Sequence, residues 1–313
     1  MKLSIITINR NNAKELRKTM ESVFSQTCRD FEYIVVDGAS TDGSGNVIKE
    51  LESEGVRELA TFKWISEPDT GIYNAMNKGI EIALGKRVVN SFNRSELVED
   101  KNKVLPDYVQ ILNSGDVLAA PDVTERMMDA LAKAIDDRCI DDRCTGVPIL
   151  YGNMLKSYDG KKIIRDTCGN GMYTPESFLY FYNGTLNHDC AYIRRDLFDK
   201  FGLYNEDMKI CSDWEWYVRA IVLGNTRAVY TDIDVTIFDM NGISESGGKN
   251  AELIKKERRE YLEKILPPAI LRDYDAFSFP ILQYQRLEKY HLWPLVYFLE
   301  RILFKLEKWG VLK

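Results

Sequence analysis

The sequence predicts an α/β protein whose central, mostly parallel sheet is flanked by helices and followed by a C-terminal helical extension. Short runs of β-branched and aromatic residues alternate with amphipathic segments over the first 118 residues. The connections are short, and strand–helix–strand units of this kind favour right-handed crossovers and parallel pairing. A chain of 313 residues is long enough to bury a large core.

Composition is that of an ordinary globular protein. Hydrophobic residues make up 45% and charged residues 29% of the chain. The formal net charge of −6 argues against a nucleic-acid partner. Six scattered cysteines without a C-x-x-C pair, beside two histidines, disfavour a zinc site and indicate reduced thiols.

The chain shows no segment that would direct it into or through a membrane. Its first residues run directly into a predicted strand without the apolar region of a secretory signal. No stretch reaches the ~18 uncharged residues that a membrane span needs. We therefore expect a cytoplasmic protein.

The first part of the chain alternates strands with helices. Predicted strands are Leu3–Ile8, Phe31–Val36, Phe62–Ile65 and a run that ends at Leu112, with helices near 13–26, 46–53 and 72–84. Asn12 with Glu15 predicts a side-chain cap at the start of the first helix. Residues 86–106 are polar and charge-rich, and we expect them to form an inserted loop, with a short helix as the alternative.

The second part changes character. Predicted helices cover Pro121–Ile135, Asp196–Phe201 and Glu252–Ile265, a hairpin joins Ile149–Lys156 to Lys162–Asp166, and a strand covers Thr226–Phe238. Ser212 and Glu215 match the S-x-x-E capping box, which predicts a helix from Ser212 to about Leu223.

Polar side chains stand where the first, second and fourth strands end, which is where open α/β sheets bind ligands. They are Thr7, Asn9, Arg10, Asp37 and Asp116. Asp116 follows the turn Asn113-Ser114-Gly115, and a carboxylate held there suits Mg²⁺ or Mn²⁺ that carries substrate phosphates. A plain loop residue is the alternative for Asp116.

Five stretches, in order, resemble the glycosyltransferase family 2 enzymes of GT-A fold. They are SIITINRNNAKELRKTMESVFSQT, YIVVDGASTDGS, ISEPDTGIYNAMNKGI, ILNSGD and SDWEWYVRA, within about Met1–Glu260. The branch that they resemble holds bacterial enzymes that build surface polysaccharides such as lipopolysaccharide O-antigen, capsule and exopolysaccharide. The resemblance implies an inverting, metal-dependent transfer of a sugar from a nucleotide-sugar donor.

The resemblance assigns donor contacts to the first part of the chain. Thr7 and Asp37 would contact uracil or ribose beside Asn9 and Arg10, and Asp69 belongs to the EPD-x-G-I-Y motif of the donor site. For Asp37 the alternative is a turn carboxylate that accepts from the amides after it. Asp42 is expected to order the same turn and cap the next helix.

The helix at Ile72 and the turn before Asp116 complete the implied donor site. Free amides at a helix start can hold anions, and Asn74 and Lys78 lie on its first turns. Lys78 would pair with a phosphate, or else is solvated. The usual D-x-D is replaced by Asn113-Ser114-Gly115-Asp116, so Asp116 is the single certain ligand for Mn²⁺ or Mg²⁺ and the phosphates would supply much of the affinity.

Asp213 is the candidate base that deprotonates the acceptor hydroxyl, as the resemblance implies. The alternative for this carboxylate is stabilisation of the helix dipole, and Glu215 is either a fallback base or a capping partner. His188 would contact the diphosphate or the acceptor, although a lone histidine is often a core residue. Asp189 stands where the branch often has Gln, which weakens the acceptor-side expectation.

Three further features carry alternatives. Trp214 and Trp216 would form a sugar-stacking wall or pack in the core. The segment Asn241–Ser244 resembles a loop near the donor phosphates, with a plain flexible loop as the alternative. Residues 283–313 carry six basic and three acidic residues among aromatic and aliphatic ones. They suit a membrane surface, or packing against the catalytic domain or a second subunit of a homodimer.

These features predict a GT-A domain at residues 1–248, with a nucleotide-binding half (1–118) and an acceptor-side half (119–248), and an extension at 249–313. We expect a UDP-hexose or UDP-N-acetylhexosamine donor and a saccharide or lipid-linked saccharide acceptor at the cytoplasmic face of the inner membrane. A catalytically degenerate assembly partner is the first alternative. A sugar nucleotidyltransferase would need a Gly-rich phosphate loop after the first strand, and NRNNAKEL supplies none.

Overall fold

The computed structural model describes residues 1–55, 61–136, 146–158, 162–167, 177–239 and 249–309, with positions 175 and 311. The strands are β1 (Leu3–Asn9), β2 (Phe31–Asp37), β3 (Thr61–Ser66), β4 (Val88–Val89), β5 (Ser95–Glu96), β6 (Tyr108–Ile111), β7 (Val117–Leu118), β8 (Ile149–Tyr158), β9 (Lys162–Asp166), β10 (Ala191–Arg194) and β11 (Ala228–Asp239). The helices are α1 (Ala13–Phe24), α2 (Ser44–Gly55), α3 (Ile72–Ala83), α4 (Val123–Asp136), α5 (Phe178–Asn183), α6 (Asp196–Phe201), α7 (Ser212–Tyr217), α8 (Lys249–Ile265), α9 (Pro268–Lys289) and α10 (Trp293–Lys308).

One large sheet organises the molecule, in the order β3-β2-β1-β6-β10-β8-β11-β7 with β9 paired to β8. The pairs among β3, β2, β1 and β6 are parallel, as the sequence predicts. Strand β10 runs antiparallel to both its neighbours, and β7 and β9 are antiparallel additions. The predicted α/β fold with a central sheet flanked by helices is confirmed, but among the described strands the sheet is mixed, with four parallel and four antiparallel pairs.

Side chains alternate between the two faces of this sheet, and each face is covered by helices. On one face Ile6 and Ile34 pack against Met76 of α3 and belong to the same cluster as Trp214 of α7. On the other face Ile5 and its neighbours pack against α1, α2 and α4. Because both faces are buried, the central strands are continuously apolar rather than alternating.

The insertion at residues 86–106 contains the two-stranded sheet of β4 and β5 instead of the helix considered as an alternative. The backbone N–H of Ser95 donates to Glu67 over 2.9 Å, and Lys103 Nζ donates to Glu32 over 2.6 Å. These contacts attach the insertion to the ends of the parallel strands.

The start of α1 differs from the predicted cap. The side chain of Asn12 makes no capping bond. Instead Ala13 N–H donates to Asp42 over 2.8 Å, and Asp42 also accepts from the N–H and hydroxyl of Ser44 at the start of α2. Asp42 therefore caps the next helix as expected and serves the preceding helix as well.

The C-terminal extension has two different parts. Helix α8 belongs to the main core, since Leu262 is buried and Tyr261 lies 5.8 Å from the ring of Trp214. Helix α10 buries no residue and contacts α9 through the stacked rings of Tyr284 and Trp293. In the part of the chain that the structure describes, no helix has the length and apolar character to cross a membrane. The Asn241–Ser244 segment lies outside the described residues.

Candidate active site

The carboxyl ends of β1, β2 and β3 stand side by side because of the strand register. Asn9 pairs with Asp37, and Asp37 pairs with Ser66. The fully buried Asp37 carboxylate accepts from Asn9 Nδ2 at 2.9 Å, Ser66 Oγ at 2.7 Å and Ser40 N at 3.0 Å. Asp37 therefore acts as a turn carboxylate, which was the alternative considered from the sequence. A ligand that bound the Asp37 carboxylate would have to replace one of these three donors.

Beyond this edge Arg10 and Asp69 form an ion pair, whereas the Thr7 side chain is buried and cannot contact a ligand. Arg10 Nη1 lies 3.2 Å from Asp69 Oδ1, and the Arg10 side chain is 61% exposed. Asp69 lies so close to Gly38 that a Cβ at that position would stand 2.1 Å from Asp69 Oδ2. Thr7 is fully buried and its hydroxyl accepts from Tyr33, so its side chain presents no atom to a nucleotide.

The polar side chains of α3 are engaged within the protein. Asn74 Nδ2 donates to Glu206 over 2.8 Å, and Asn77 donates to the same carboxylate. Lys78 Nζ lies 2.9 Å from Glu67 and donates to the Pro68 carbonyl, which holds the loop before α3. Neither alternative for Lys78, a free phosphate ligand or a solvated surface residue, matches this nearly buried ion pair.

The turn that presents Asp116 depends on Gly115. This glycine has a φ of +113°, a conformation that side chains with a Cβ rarely adopt, and its N–H donates to Thr19. Asp116 is 6% exposed. Its neighbours Asn113 and Ser114 each have a buried side-chain oxygen without a hydrogen-bond partner among the described residues.

A second buried carboxylate, Asp189, lies close enough to Asp116 for its charge to affect the pKa of Asp116. Burial raises the pKa of Asp116 well above its ordinary value, the charge of Asp189 raises it further, and His188 opposes both effects. Burial likewise raises the pKa of Asp189. One Asp189 oxygen accepts from Thr236 over 2.6 Å, while the other has no partner among the described residues. Burial and mutual repulsion thus disfavour ionisation of both carboxyl groups at once.

This pair fits a hard divalent cation, because a cation would relieve the two buried charges and satisfy the unpartnered Asp189 oxygen. Among the described residues, no group of three His, Cys, Asp or Glu side chains is placed to hold a metal ion. The protein would therefore supply two carboxylates, Asp116 and Asp189, with remaining ligands from substrate phosphates and water. The sequence-based expectation that phosphates supply much of the metal affinity stays a prediction.

His188 joins Asp213 to the Asp116 turn. Its Nδ1 lies 3.2 Å from Asp213 Oδ2, and its Nε2 lies 2.9 Å from the side-chain amide of Asn113. Burial opposes the charged imidazole, but the hydrogen bond and charge of Asp213 outweigh it and raise the pKa of His188 to about 9. A doubly protonated ring donates from both nitrogens, whereas the structure places Asn113 Nδ2 at Nε2 and leaves Asn113 Oδ1 without a partner among the described residues. Rotation of the Asn113 amide by 180° would bring its oxygen to Nε2 as the acceptor.

Asp213 itself is held on both oxygens. Tyr73 donates to Oδ1 over 3.0 Å, and His188 faces Oδ2. Burial disfavours the ionised form, yet the hydrogen bond and charge of His188 prevail and lower the pKa of Asp213. The carboxylate is therefore ionised and oriented at neutral pH, as proton abstraction requires.

The predicted capping box at the start of α7 is wrong. Cys211 occupies the cap position, the Ser212 hydroxyl has no partner among the described residues, and Glu215 pairs with Arg219 at 3.0 Å. The Glu257 carboxylate of α8 instead accepts from the N–H groups that precede α7. Glu215 is therefore not a cap, and its carboxylate is engaged by Arg219.

The two tryptophans of α7 are core residues and not a sugar-stacking wall. Trp214 and Trp216 are 1% and 0% exposed. Each indole N–H donates to a backbone carbonyl over 2.8 Å, of Phe181 and Gly202 respectively. Full burial with a satisfied N–H is the usual state of a structural tryptophan.

Sequence reasoning missed Tyr73 and Glu257, and treated Asp189 only as a departure from the family pattern. Tyr73 lies 140 positions before its partner Asp213, and Glu257 lies 46 positions after Cys211. Helical periodicity places both residues on helices but does not reveal their distant partners. The adjacency of Asp189 to His188 was the one signal in the sequence that pointed to a second carboxylate.

The chain is similar to known glycosyltransferases. Residues 4–91 match the family model "Glycosyl transferase family 2". A PGL/p-HBAD biosynthesis glycosyltransferase of Mycobacterium bovis is 25% identical over 254 residues, 81% of each chain. An uncharacterized glycosyltransferase of Mycobacterium tuberculosis is 28% identical over 240 residues, 75% of each chain.

Solved structures share the fold. A fragment of S. aureus TarS in complex with UDP-GlcNAc has a TM-score of 0.57 at 17% identity, covering 86% of this chain and 69% of that one. The UDP complex of TarS has a TM-score of 0.54 at 17% identity, and this chain spans 60% of its length. The fold and the family match together define a glycosyltransferase of the GT-A type. Residues 4–91 are similar to glycosyltransferase family 2, and relatives that cover most of the chain are named glycosyltransferases.

Proposed function

We propose that this protein is an inverting glycosyltransferase that moves a hexose or N-acetylhexosamine from a UDP-sugar to a bacterial surface polysaccharide. The observation that carries the proposal is the oriented carboxylate of Asp213, held on one oxygen by Tyr73 and on the other by His188. Inverting transfer needs one such base, which takes the acceptor proton as its oxygen attacks the anomeric carbon. The nucleoside diphosphate then leaves from the opposite face.

Asp116 and Asp189 would hold Mn²⁺ or Mg²⁺ on the diphosphate side of this site. Such an ion, when bound, stabilises the negative charge of the leaving diphosphate as a Lewis acid. The chain itself contributes the buried carboxylates and the glycine turn that presents Asp116. His188, bound to Asp213 and Asn113, links the base to that turn and keeps their spacing fixed.

The donor would lie along the ends of β1 to β3. Arg10 is exposed and suited to a phosphate or ribose, and Asp69 fixes its guanidinium. Asn9 and Asp37 form the floor of this edge, with one buried Asn9 oxygen that lacks a partner among the described residues. The TarS complexes with UDP and UDP-GlcNAc, which share this fold, favour a uridine nucleotide.

A lipid-linked acceptor would bring the protein to the cytoplasmic face of the inner membrane, and α10 is suited to that surface. Leu295, Phe298, Leu299 and Ile302 share one exposed apolar face of this helix. Arg301, Lys305 and Lys308 lie together on the adjoining face. A basic border beside an exposed apolar face matches the surface of an anionic bilayer.

Sedimentation with vesicles tests the membrane contact. We expect binding to phosphatidylcholine vesicles that contain phosphatidylglycerol, little binding without it, and loss of binding in the Leu299→Glu and Ile302→Glu double variant. Leu223→Glu, at a position 54% exposed on the catalytic domain, is the matched control. If the chain instead elutes as a dimer that the double variant separates, the homodimer alternative replaces this proposal.

Thermal unfolding with UDP, GDP, dTDP and CMP, each with and without Mn²⁺, tests the donor class. A nucleotide at 100 times its Kd should stabilise the fold by about 2.7 kcal/mol. We expect UDP to stabilise and Mn²⁺ to enhance its effect, followed by UDP release from UDP-sugars. Preference for another nucleotide would overturn the donor assignment, and UDP binding without turnover would favour the degenerate assembly partner.

A further inference from the structure

Tyr73 connects the first turn of α3 to the start of α7. The side chain is 4% exposed. Its hydroxyl lies 3.0 Å from Asp213 Oδ1 and 2.5 Å from the carbonyl oxygen of Ile210. The Ile210 peptide is itself fixed from the other side, because its N–H donates to Glu257 of α8 over 3.1 Å.

One hydroxyl proton faces two acceptors in this arrangement. The Ile210 carbonyl can only accept, and it makes the shorter contact. While Asp213 is ionised, the Tyr73 proton is shared between the carbonyl and Oδ1. Once Asp213 is protonated, its own O–H can donate to the Tyr73 oxygen while Tyr73 donates wholly to Ile210. The same geometry therefore satisfies both protonation states of the carboxyl.

We propose that Tyr73 is a positioning residue for Asp213, which fixes Oδ1 before transfer and accepts a hydrogen bond from the protonated carboxyl afterwards. The proton passes from the acceptor hydroxyl to Asp213, and Tyr73 neither gains nor loses a proton in the step. Tyr73 follows the Asp69 loop directly, so the base is attached to the donor-side helix α3. This inference rests on the proposed role of Asp213 as the base.

Burial keeps the phenol suited to this task. Desolvation raises the pKa of Tyr73 well above its ordinary value, and the neighbouring charge of Asp213 raises it further. The phenol thus remains neutral and does not compete with Asp213 as a base.

Tyr204 offers a matched control. It packs against Tyr73, with ring centroids 5.8 Å apart, and is also buried. Its hydroxyl, however, has no hydrogen-bond partner among the described residues. Tyr73→Phe and Tyr204→Phe therefore remove the same atom from the same cluster, but only the first removes a bond to Asp213.

The first measurement is UDP release from UDP-GlcNAc. We expect Tyr73→Phe to lower kcat about tenfold, as for one hydrogen bond to a charged group, with KM and UDP affinity unchanged. Tyr204→Phe should leave kcat unchanged. Equal kcat in wild type and Tyr73→Phe, or equal losses in both variants, would overturn the inference.

The second measurement does not depend on turnover. The chain has two histidines, so replacing His291 identifies the His188 imidazole signals by NMR. Without the Tyr73 hydrogen bond, the Asp213 carboxylate accepts more strongly from His188. The His188 Nδ1–H proton should therefore shift downfield in Tyr73→Phe and not in Tyr204→Phe. No shift overturns the inference even if the protein does not turn over UDP-GlcNAc. Full turnover by Asp213→Asn would instead reject the proposed base.

Discussion

At the scale of single residues, Asp213 is the side chain on which the proposed transfer depends. Its carboxylate is 16% exposed and accepts from Tyr73 and His188. Asp213→Asn keeps the shape but cannot take a proton, so we expect transfer to fall about 10²–10⁴-fold with UDP affinity unchanged. Isothermal titration with UDP and initial-rate assays measure the two effects.

Glu215→Gln is the control for this variant. Glu215 lies on the same helix and pairs with Arg219 rather than with Asp213. We expect it to lower stability while the rate per folded molecule stays near that of wild type. A rate loss for Glu215→Gln equal to that of Asp213→Asn would exchange their roles.

The His188–Asp213 pair makes a prediction about pH. The folded pKa of His188 is about 9, above its ordinary value of 6.5, so the imidazolium stabilises the folded state. That stabilisation is fully present below about pH 6.5 and is lost as pH rises through about 9. In EDTA, the melting temperature of wild type should fall more over this range than that of His188→Gln. Parallel pH profiles would contradict the assigned pair.

At the scale of elements, α8 supports the start of α7 through Glu257. This carboxylate, 8% exposed, accepts from the N–H groups of Lys209, Ile210 and Cys211. Glu257→Ala leaves these donors without an acceptor, and we expect a loss of about 3 kcal/mol of unfolding free energy together with a lower kcat. Urea denaturation and UDP-release assays measure both.

Glu260→Ala tests whether any charge removed from α8 has the same effect. The Glu260 side chain is 57% exposed and lies 3.8 Å from Lys256. Exposed pairs of this kind contribute about 0–1 kcal/mol. Similar losses in the two variants would show that α8 acts through its charge and not through the contact with the residues before α7.

The elements also show how far sequence reasoning reaches. The strands β1 and β2 and the helix α3 are recognisable because apolar runs and helical spacing are local properties. Caps were less predictable: the S-x-x-E pattern at Ser212 is present without a side-chain cap, and a glutamate 42 positions after Glu215 accepts from the amides that precede the helix. A local motif cannot reveal an acceptor that tertiary packing brings to the residues before the helix.

The candidate site shows the same division. The strand ends marked Asp37 and Asp116, because position in an open α/β sheet follows from the order of elements. The partners and exposure of each side chain could not be predicted from the order of elements. Thr7 is buried against Tyr33, and Lys78 is paired with Glu67. Whether a polar atom faces solvent or another side chain depends on neighbours that are distant in sequence.

At the scale of the whole molecule, the two parts of the C-terminal extension contribute differently to the stability of the fold. A chain ending at residue 290 loses α10, which buries no residue, and should keep the melting temperature and UDP affinity of the full chain. A chain ending at residue 248 loses Leu262 and Glu257 and should fail to fold stably. Circular dichroism melts of both truncations measure this, and unfolding of the longer one would assign α10 to the core.

The Ile210 peptide, held by Tyr73 on its carbonyl and by Glu257 on its N–H, has a consequence for synthesis of the chain. The nucleotide-binding strands emerge from the ribosome first, and domains generally fold in that order. The base cannot be set until the segment around residue 257 has also emerged and docked. Stable folding and a positioned base are thus reached at the same stage of synthesis, so an unfinished chain presents no base to an activated sugar.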